Sequence, residues 1–272
     1  MNRLLLIFTD LDGSLLDHDG YSHAGAAPAL RIIRARRIPL VFVTSKTRAE
    51  IERLQADLDI REPFAAENGG GIFFPAGYRG FRIPGAIERD SHRLIPLGRP
   101  YEEIRRFVEE RKTRYALRGA ADLSLEELVA LTGLTPEQAL LAKQREFSEP
   151  FLLEDGGQLE ALREEALAAG LQITRGGRFH HLVGIGQDKG EAVRRVTEIF
   201  RENAAGELLT VGIGDRPNDA PMLAAVDIPV VIPHPDGQYE GLALPYLLRA
   251  RHPGSLGWNE AVLSLLHRFD SG

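Results

Sequence analysis

The stretch LIFTDLDGSLLD, Leu6 to Asp17, sets the reading of the whole chain. An apolar run of buried-strand length, starting at Leu4, ends in two carboxylates, Asp10 and Asp12, with a single leucine between them. Two like charges at the mouth of a buried strand each make ionisation of the other harder. A cation, or chemistry that needs acidic oxygens, has to offset that cost.

Working outward from this strand, the chain alternates apolar runs with segments of helical spacing. Leu4–Asp10 predicts a buried strand, Ala27–Arg37 a helix, Ile38–Ser45 a second strand and Thr47–Leu58 a second helix. PFAAENGGGIFF, residues 63–74, predicts two short strands broken at its glycines, with a turn over Glu67–Gly71. The last third repeats the grammar: helix Asp188–Asn203, strand Glu207–Asp215, helix Asn218–Ala225, strand Ile228–Pro233 and a closing helix within Ser255–Phe269. Strand–helix alternation of this kind predicts an α/β fold, a parallel sheet with helices on both faces. The middle, from about Gly85 to Gly186, breaks the pattern with helices over Tyr101–Arg114, Leu125–Leu131, Pro136–Lys143 and Gly157–Ala169 and strand-like pieces FLLE, LQITR and RFHHLVG. It reads as an α+β cap over residues 85–185, inserted into a core made of residues 1–84 and 186–272.

Composition narrows the partners. The chain has 272 residues, 43% of them hydrophobic, enough for a sizeable core. A net charge of −6 speaks against a broad nucleic-acid or acidic-membrane surface and favours a small-molecule substrate. The absence of cysteine removes disulfides and thiolate metal sites and suits a reducing cytoplasm. The apolar run Leu4–Phe8 is short for a signal-peptide core, and no run approaches the roughly 18 residues of a membrane span. Only Lys46, Lys112, Lys143 and Lys189 are lysines among the 33 basic residues.

In an open parallel sheet a ligand sits at the carboxyl ends of the strands. Asp10, Thr44 with Ser45, and Asp215 fall at three such ends, and Lys189 opens the helix that follows the insertion. Each alone reads as a cap, a turn or a solvated charge; together they read as a phosphate site. An ionised Asp10 can attack phosphorus. Oxygen ligands from Asp10 and Asp215 suit Mg2+, which would offset repulsion between the carboxylate and the phosphate. Asp12, if its environment differs from that of Asp10, can hold the proton for the leaving oxygen. Gly13 suits a tight turn, and Thr44 and Lys189 would hold the transferring oxygens, Thr44 by hydroxyl and backbone N–H.

DLDGSLL (Asp10–Leu16), VFVTSKT (Val41–Thr47), DKG (Asp188–Gly190) and GDRPNDAPM (Gly214–Met222) resemble the four ordered motifs of the haloacid dehalogenase superfamily of phosphatases, and the insertion resembles its type IIB, Cof-like cap. The resemblance implies a Rossmann-like core, a phosphoric monoester hydrolase, Asp10 as nucleophile and Asp12 as acid and base. It also implies Mg2+ on Asp10, the Asp12 carbonyl and Asp215, with Asn218 and Asp219 supporting the metal. Ser14 stands where many relatives carry threonine, and TSK where cofactor-type relatives read TGR, which leaves Ser45 and Lys46 as substrate-side candidates.

Specificity is expected in the cap. AKQREFSEPF (Ala142–Phe151) and TRGGRFHHLVG (Thr174–Gly184), with TSKT and ENGGG in the core, resemble the branch of that superfamily whose substrate is mannosyl-3-phosphoglycerate. There the leaving group carries a carboxylate and a hexose. Arg145, Arg175 and Arg178 are the candidates for the carboxylate, Gln144, Glu149 and His180 for hydroxyls, and Gly176 and Gly177 for close backbone approach. Asn68 is a further candidate from the glycine turn. His180 and His181 point to opposite faces of a strand and do not form a metal pair. Rival readings are a phosphatase of glucosyl-3-phosphoglycerate or sucrose phosphate, a phosphomannomutase, and a silent phosphosugar-binding module. VGIGD lacks the third glycine of a dinucleotide fingerprint, and no P-loop occurs.

Overall fold

The computed structural model of the chain describes residues 3–175, 179–242 and 244–271. The first part of the chain runs β1 (Arg3–Thr9), α1 (Ala27–Arg36), β2 (Leu40–Val43), α2 (Arg48–Leu58), β3 (Phe64–Ala66), β4 (Gly71–Pro75), β5 (Ile87–Arg89) and β6 (His92–Pro96). The middle follows with α3 (Tyr101–Arg111), β7 (Leu117–Gly119), α4 (Leu125–Thr132), α5 (Pro136–Ala142), β8 (Ser148–Leu153), α6 (Leu159–Ala168), β9 (Leu171–Arg175) and β10 (His180–Gly184). The chain closes with α7 (Lys189–Asn203), β11 (Glu207–Gly214), α8 (Ala220–Ala224), β12 (Ile228–Val231), β13 (Leu248–Arg249) and α9 (Gly254–Ser271).

Local chemistry sets many of the boundaries. Thr47 caps α2 by accepting from the Glu50 N–H while the Glu50 side chain accepts from the Thr47 N–H, and Ser124 with Glu127 and Thr135 with Gln138 do the same for α4 and α5. Helix α1 stops at Arg37, which turns left-handed at φ 53°, so β2 starts at Leu40 rather than at the expected Ile38. Proline at residue 217 opens a 3-10 turn over Pro217–Asp219, and the expected helix from Asn218 begins at Ala220.

Among the described residues, nine strands form one sheet in the order β13-β12-β11-β1-β2-β3-β4-β6-β5. From β13 to β3 the neighbours are parallel, as the alternating sequence predicts; β4, β6 and β5 add antiparallel edges. The period of two along each strand divides the core between the faces. Leu5, Ile7, Leu40 and Phe42 pack on one side with Trp258, while Leu6, Phe8, Val41 and Val43 pack on the other with Val193, Val196 and Phe200 of α7. Strand β1 is the pivot: the chain leaves it for β2 on one side and returns to β11 on the other, the switch point at which open α/β sheets bind ligands.

A second sheet, antiparallel and ordered β7-β8-β10-β9, has its own core of Ile104, Phe107, Phe151, Leu162 and Leu182. It lies within the expected insertion, but the boundary at residue 85 has to move. Strands β5 and β6 form a hairpin that joins β4 in the large sheet, so this second unit begins beyond Pro96. The hairpin escapes a sequence reading because Ile87–Arg89 is exposed along its length and carries no apolar alternation.

The two units are joined by a buried carboxylate. Glu67 is fully buried, and it accepts from the backbone N–H of Glu146 (2.8 Å) and Phe147 (3.1 Å) and from the Ser148 hydroxyl (2.6 Å). Gln187, where the chain passes from β10 back to α7, donates to the carbonyls of Glu67 (2.7 Å) and Phe147 (3.2 Å). Truncating Glu67 leaves buried donors without an acceptor, so Glu67→Ala is expected to lower stability by about 2–4 kcal/mol. Urea unfolding followed by circular dichroism measures it; an unchanged midpoint would contradict this role.

Candidate active site

The carboxyl ends of β1, β2 and β11 bring Asp10, Thr44 and Asp215 to one rim. Asp10 is held there by its backbone N–H, which donates to Ile213 at 2.8 Å. The loop beyond it turns back at once, with Gly13 N–H on the Leu16 carbonyl (2.8 Å). Gly13 has φ +83°, and a Cβ there would fall 2.4 Å from Asp215 Oδ2. Glycine is therefore required by both conformation and space.

Lys189 is the first residue of α7, where an ammonium opposes the helix dipole. Its compensation is direct: Nζ lies 2.6 Å from Asp10 Oδ1 and 2.6 Å from Asp219 Oδ1, all three groups being buried. Burial works against the Lys189 charge, but Asp10 and Asp219 outweigh it and raise its pKa above the ordinary lysine value. The second Asp219 oxygen accepts from the N–H groups of Asp215 and Arg216, each at 2.9 Å, which fixes the loop that carries Asp215.

The acids remain short of positive charge. Burial, opposed by Lys189 and reinforced by Asp219 and Asp12, pushes Asp10 up to about 7. Burial, with Asp10 and Asp219 nearby, raises Asp215 well above the carboxylate range. Asp215 Oδ2 is buried and makes no hydrogen bond, although Arg216 Nε lies 3.2 Å away, out of line for one. Asp10, Asp215 and Asp219 each offer an oxygen, and these atoms lie within 4.8 Å of one another. An all-oxygen donor set containing a buried orphan oxygen fits a hard divalent cation such as Mg2+.

A cavity of about 450 Å³ opens over this rim, walled below by Asp10, Asp12, Ser45, Lys46, Arg216 and Asn218 and above by the second unit. Asp12 Oδ2 pairs with Lys46 Nζ at 3.0 Å, whereas its Oδ1 makes no hydrogen bond. Lys46 is also 3.5 Å from Glu50, and these two acids outweigh burial to raise its pKa. The upper wall is partly apolar, with Leu128, Leu134 and Phe179, and includes Arg145 and His181. Arg145 spans the units by donating to the Ser45 carbonyl at 2.7 Å.

The expected substrate residues separate on this geometry. Ser45, Lys46 and Arg145 line the cavity. Thr44 sits behind it, and its backbone N–H is spent on the Ala65 carbonyl (3.1 Å), leaving the hydroxyl as its donor. Asn68 is buried and accepts from Asn218 Nδ2 at 3.1 Å. Glu149 is fully buried, occupied by Tyr101 Oη (2.5 Å), the Ala121 N–H (3.0 Å) and Arg105 (3.3 Å), so it braces the second unit instead of reading a hydroxyl. Gln144 and Arg175 are exposed outside the cavity lining. Gly176, Gly177 and Arg178 lie outside the described residues. His180 packs on Phe151 with ring centroids 5.4 Å apart, and its neighbour His181 faces the cavity. Strand parity separates the two rings, but only the pairing of β10 with β8 says which face is inward. The sequence reading also passed over His18, Tyr21, Glu50 and Arg216; the position of Arg216 directly after Asp215 was the available signal.

The chain matches the family model for haloacid dehalogenase-like hydrolases over residues 7–233. It is 49% identical over 268 residues to a glucosyl-3-phosphoglycerate/mannosyl-3-phosphoglycerate phosphatase of Persephonella marina, an alignment covering 98% of this chain and 99% of the relative. A protein of the same description from Methanococcoides burtonii is 43% identical, with 96% and 97% covered. Among solved structures, a Thermoplasma acidophilum protein superposes with TM-score 0.69 at 20% identity, covering 99% of both chains.

Lys189→Met removes the charge held between Asp10 and Asp219 by 2.6 Å contacts, and is expected to cost about 3–5 kcal/mol of stability as well as activity. Calorimetric unfolding tests this, and an unaltered Tm would refute it. His181 supplies a pH dependence: burial first, then Arg145, push its pKa down from 6.5 to about 3. Between those values the unfolded chain binds a proton that the folded one refuses, so stability falls with acidification below 6.5, by up to about 1.4 kcal/mol per pH unit. His181→Gln should flatten that slope in denaturation curves taken from pH 7 to pH 4.

Proposed function

Because the chain belongs to the haloacid dehalogenase-like hydrolases, we propose that it removes phosphate from mannosyl-3-phosphoglycerate and equally from glucosyl-3-phosphoglycerate, with Mg2+ and an aspartyl-phosphate on Asp10. That it is a phosphoric monoester hydrolase follows from its family and from its near full-length phosphatase relatives. The finer reading widens the mannosyl preference expected from sequence, since both relatives named above carry both sugars in their descriptions. The observation that carries it is a single cavity with Asp10 and Asp12 at one end and Arg145, Lys46 and His181 with apolar Phe179 and Leu134 around the rest. This suits a phosphate ester whose alcohol side bears a carboxylate and a hexose.

Asp10 has one oxygen fixed by Lys189, which orients the other toward phosphorus. Attack forms the Asp10–phosphorus bond and breaks the bond from phosphorus to the glycerate oxygen, which takes the proton of Asp12. Asp12, now ionised, then removes a proton from the water that cleaves the acyl phosphate, which returns Asp10 as a carboxylate and Asp12 as the acid. Asp10 and Asp215, with the Asp12 carbonyl and support from Asn218 and Asp219, would hold Mg2+, which when bound offsets negative charge on the phosphate. Arg145 has a planar fork suited to the glycerate carboxylate, and Lys46 adds a second cation. His181 Nδ1 is buried without a hydrogen bond and is available to a sugar hydroxyl. No helix of the described residues is long and apolar enough to cross a membrane, and we place the reaction in the cytoplasm with a small-molecule substrate.

Phosphate release from mannosyl- and glucosyl-3-phosphoglycerate, sucrose phosphate and mannose phosphate, with Mg2+ or chelator, tests the assignment. Higher kcat/KM for the two phosphoglycerates, abolished by chelator, is expected; preference for an ester lacking glycerate would reject it. Asp10→Asn should lower kcat by about 10⁴-fold or more without unfolding the protein. Arg145→Ala should raise KM for the phosphoglycerates about tenfold while sparing p-nitrophenyl phosphate.

A further inference from the structure

His18 and His234 have no part in the steps above, yet they stand beside the metal-binding acids. His18 lies just past the Asp12–Leu16 turn and His234 just past β12, and their rings stack with centroids 6.1 Å apart at 27°. His18 Nε2 is 3.5 Å from Asp215 Oδ2; both atoms are buried, and neither makes a hydrogen bond. His18, Asp215 and His234 each offer a ligand atom, and the three atoms fall within 4.8 Å of one another.

We propose that His18, Asp215 and His234 form a second cation site, selective for a borderline transition ion of the Zn2+ class, that competes with Mg2+ for the shared Asp215. The donor set decides the class of ion. Two imidazoles and one carboxylate suit Zn2+, Co2+ or Ni2+, whereas Mg2+ prefers oxygen and keeps its waters. Glu240 Oε1 stands 3.5 Å from His234 Nε2, a carboxylate within reach of one of the rings. The site is also built tightly: a Cβ on Gly13 would meet Asp215 Oδ2 at 2.4 Å and His18 Cε1 at 2.7 Å, so only glycine lets the ring and the carboxylate approach. Arg216, whose Nε is 3.2 Å from Asp215 Oδ2, is the cation that a metal displaces, and its side chain is 39% exposed and can turn to solvent.

Charge explains the competition. With all of them ionised, as a bound cation favours, Asp10, Asp12, Glu50, Asp215 and Asp219 set five carboxylates against the three cations Lys46, Lys189 and Arg216. One divalent ion balances this excess; a second, with no substrate phosphate present, overshoots it. The inference rests on the proposed function only for the place of Asp215 in Mg2+ binding.

The test is Zn2+ titration of the full chain by calorimetry without substrate, repeated with saturating Mg2+ and with His18→Gln and His234→Gln. The expected result is one Zn2+ bound, its Kd raised about tenfold or more by either substitution and raised by Mg2+. In the unsubstituted protein, Co2+ should give solvent-exchangeable imidazole N–H proton resonances with large paramagnetic shifts, a readout independent of how the variants fold. Zn2+ affinity unchanged in both variants, no Zn2+ binding, or no shifted imidazole resonances would overturn the site, and Zn2+ binding indifferent to Mg2+ would overturn the competition. Phosphate release in Mg2+ alone is recorded in parallel: activity by the unsubstituted protein and by His234→Gln confines a failed titration to this inference, while an inactive unsubstituted protein counts against the proposed function.

Discussion

A buried ammonium holds the acidic rim together. Lys189 reaches from the first turn of α7 to Asp10 after β1 and to Asp219 after β11, at 2.6 Å each, so one charge ties three separate parts of the chain. In a buried setting the pair energies are large, and so is the penalty of an uncompensated partner. Asp219 passes the constraint on, because its other oxygen fixes the N–H groups of Asp215 and Arg216. The opening acid of the chain and the acids near its end are thereby set in one arrangement by the protein's own contacts.

The same logic governs the second unit. It has its own apolar core, and beside Phe147, which packs into the core of the large sheet, polar contacts fasten it there: Glu67 accepting from three donors, Gln187 donating to the carbonyls of Glu67 and Phe147, Arg145 reaching the Ser45 carbonyl and the Thr47 hydroxyl reaching the Leu141 carbonyl. Polar fastening is directional, whereas an apolar seam tolerates sliding. It defines the roof of the cavity, and with it the distance between the Asp10 carboxylate and the residues of the upper wall.

The cavity therefore has two chemical ends. Around Asp10 the oxygens are hard and buried, which suits a metal and a phosphate; around Phe179, Leu134 and Arg145 the wall is mixed apolar and cationic, which suits a sugar acid. Asp215 stands at a third boundary, between the carboxylate cluster and the paired imidazoles of His18 and His234. One side chain thus faces two donor sets, one of oxygens alone and one with two imidazoles.

The sequence by itself determined the parallel core, the insertion and the acidic rim. Strand–helix periodicity is a local property, and Asp10, Thr44, Asp215 and Lys189 sit at strand and helix ends that periodicity marks. It did not determine the hairpin β5–β6, because an exposed edge strand carries no alternation, nor which of His180 and His181 faces inward, nor that Glu149 is consumed inside the second unit. Those outcomes depend on strand pairing and on partners distant in sequence, such as Tyr101 and Arg105 for Glu149 and Phe151 for His180. Contacts across such separations are set by how two units pack, and a linear pattern of residue types holds no record of which face of one meets the other.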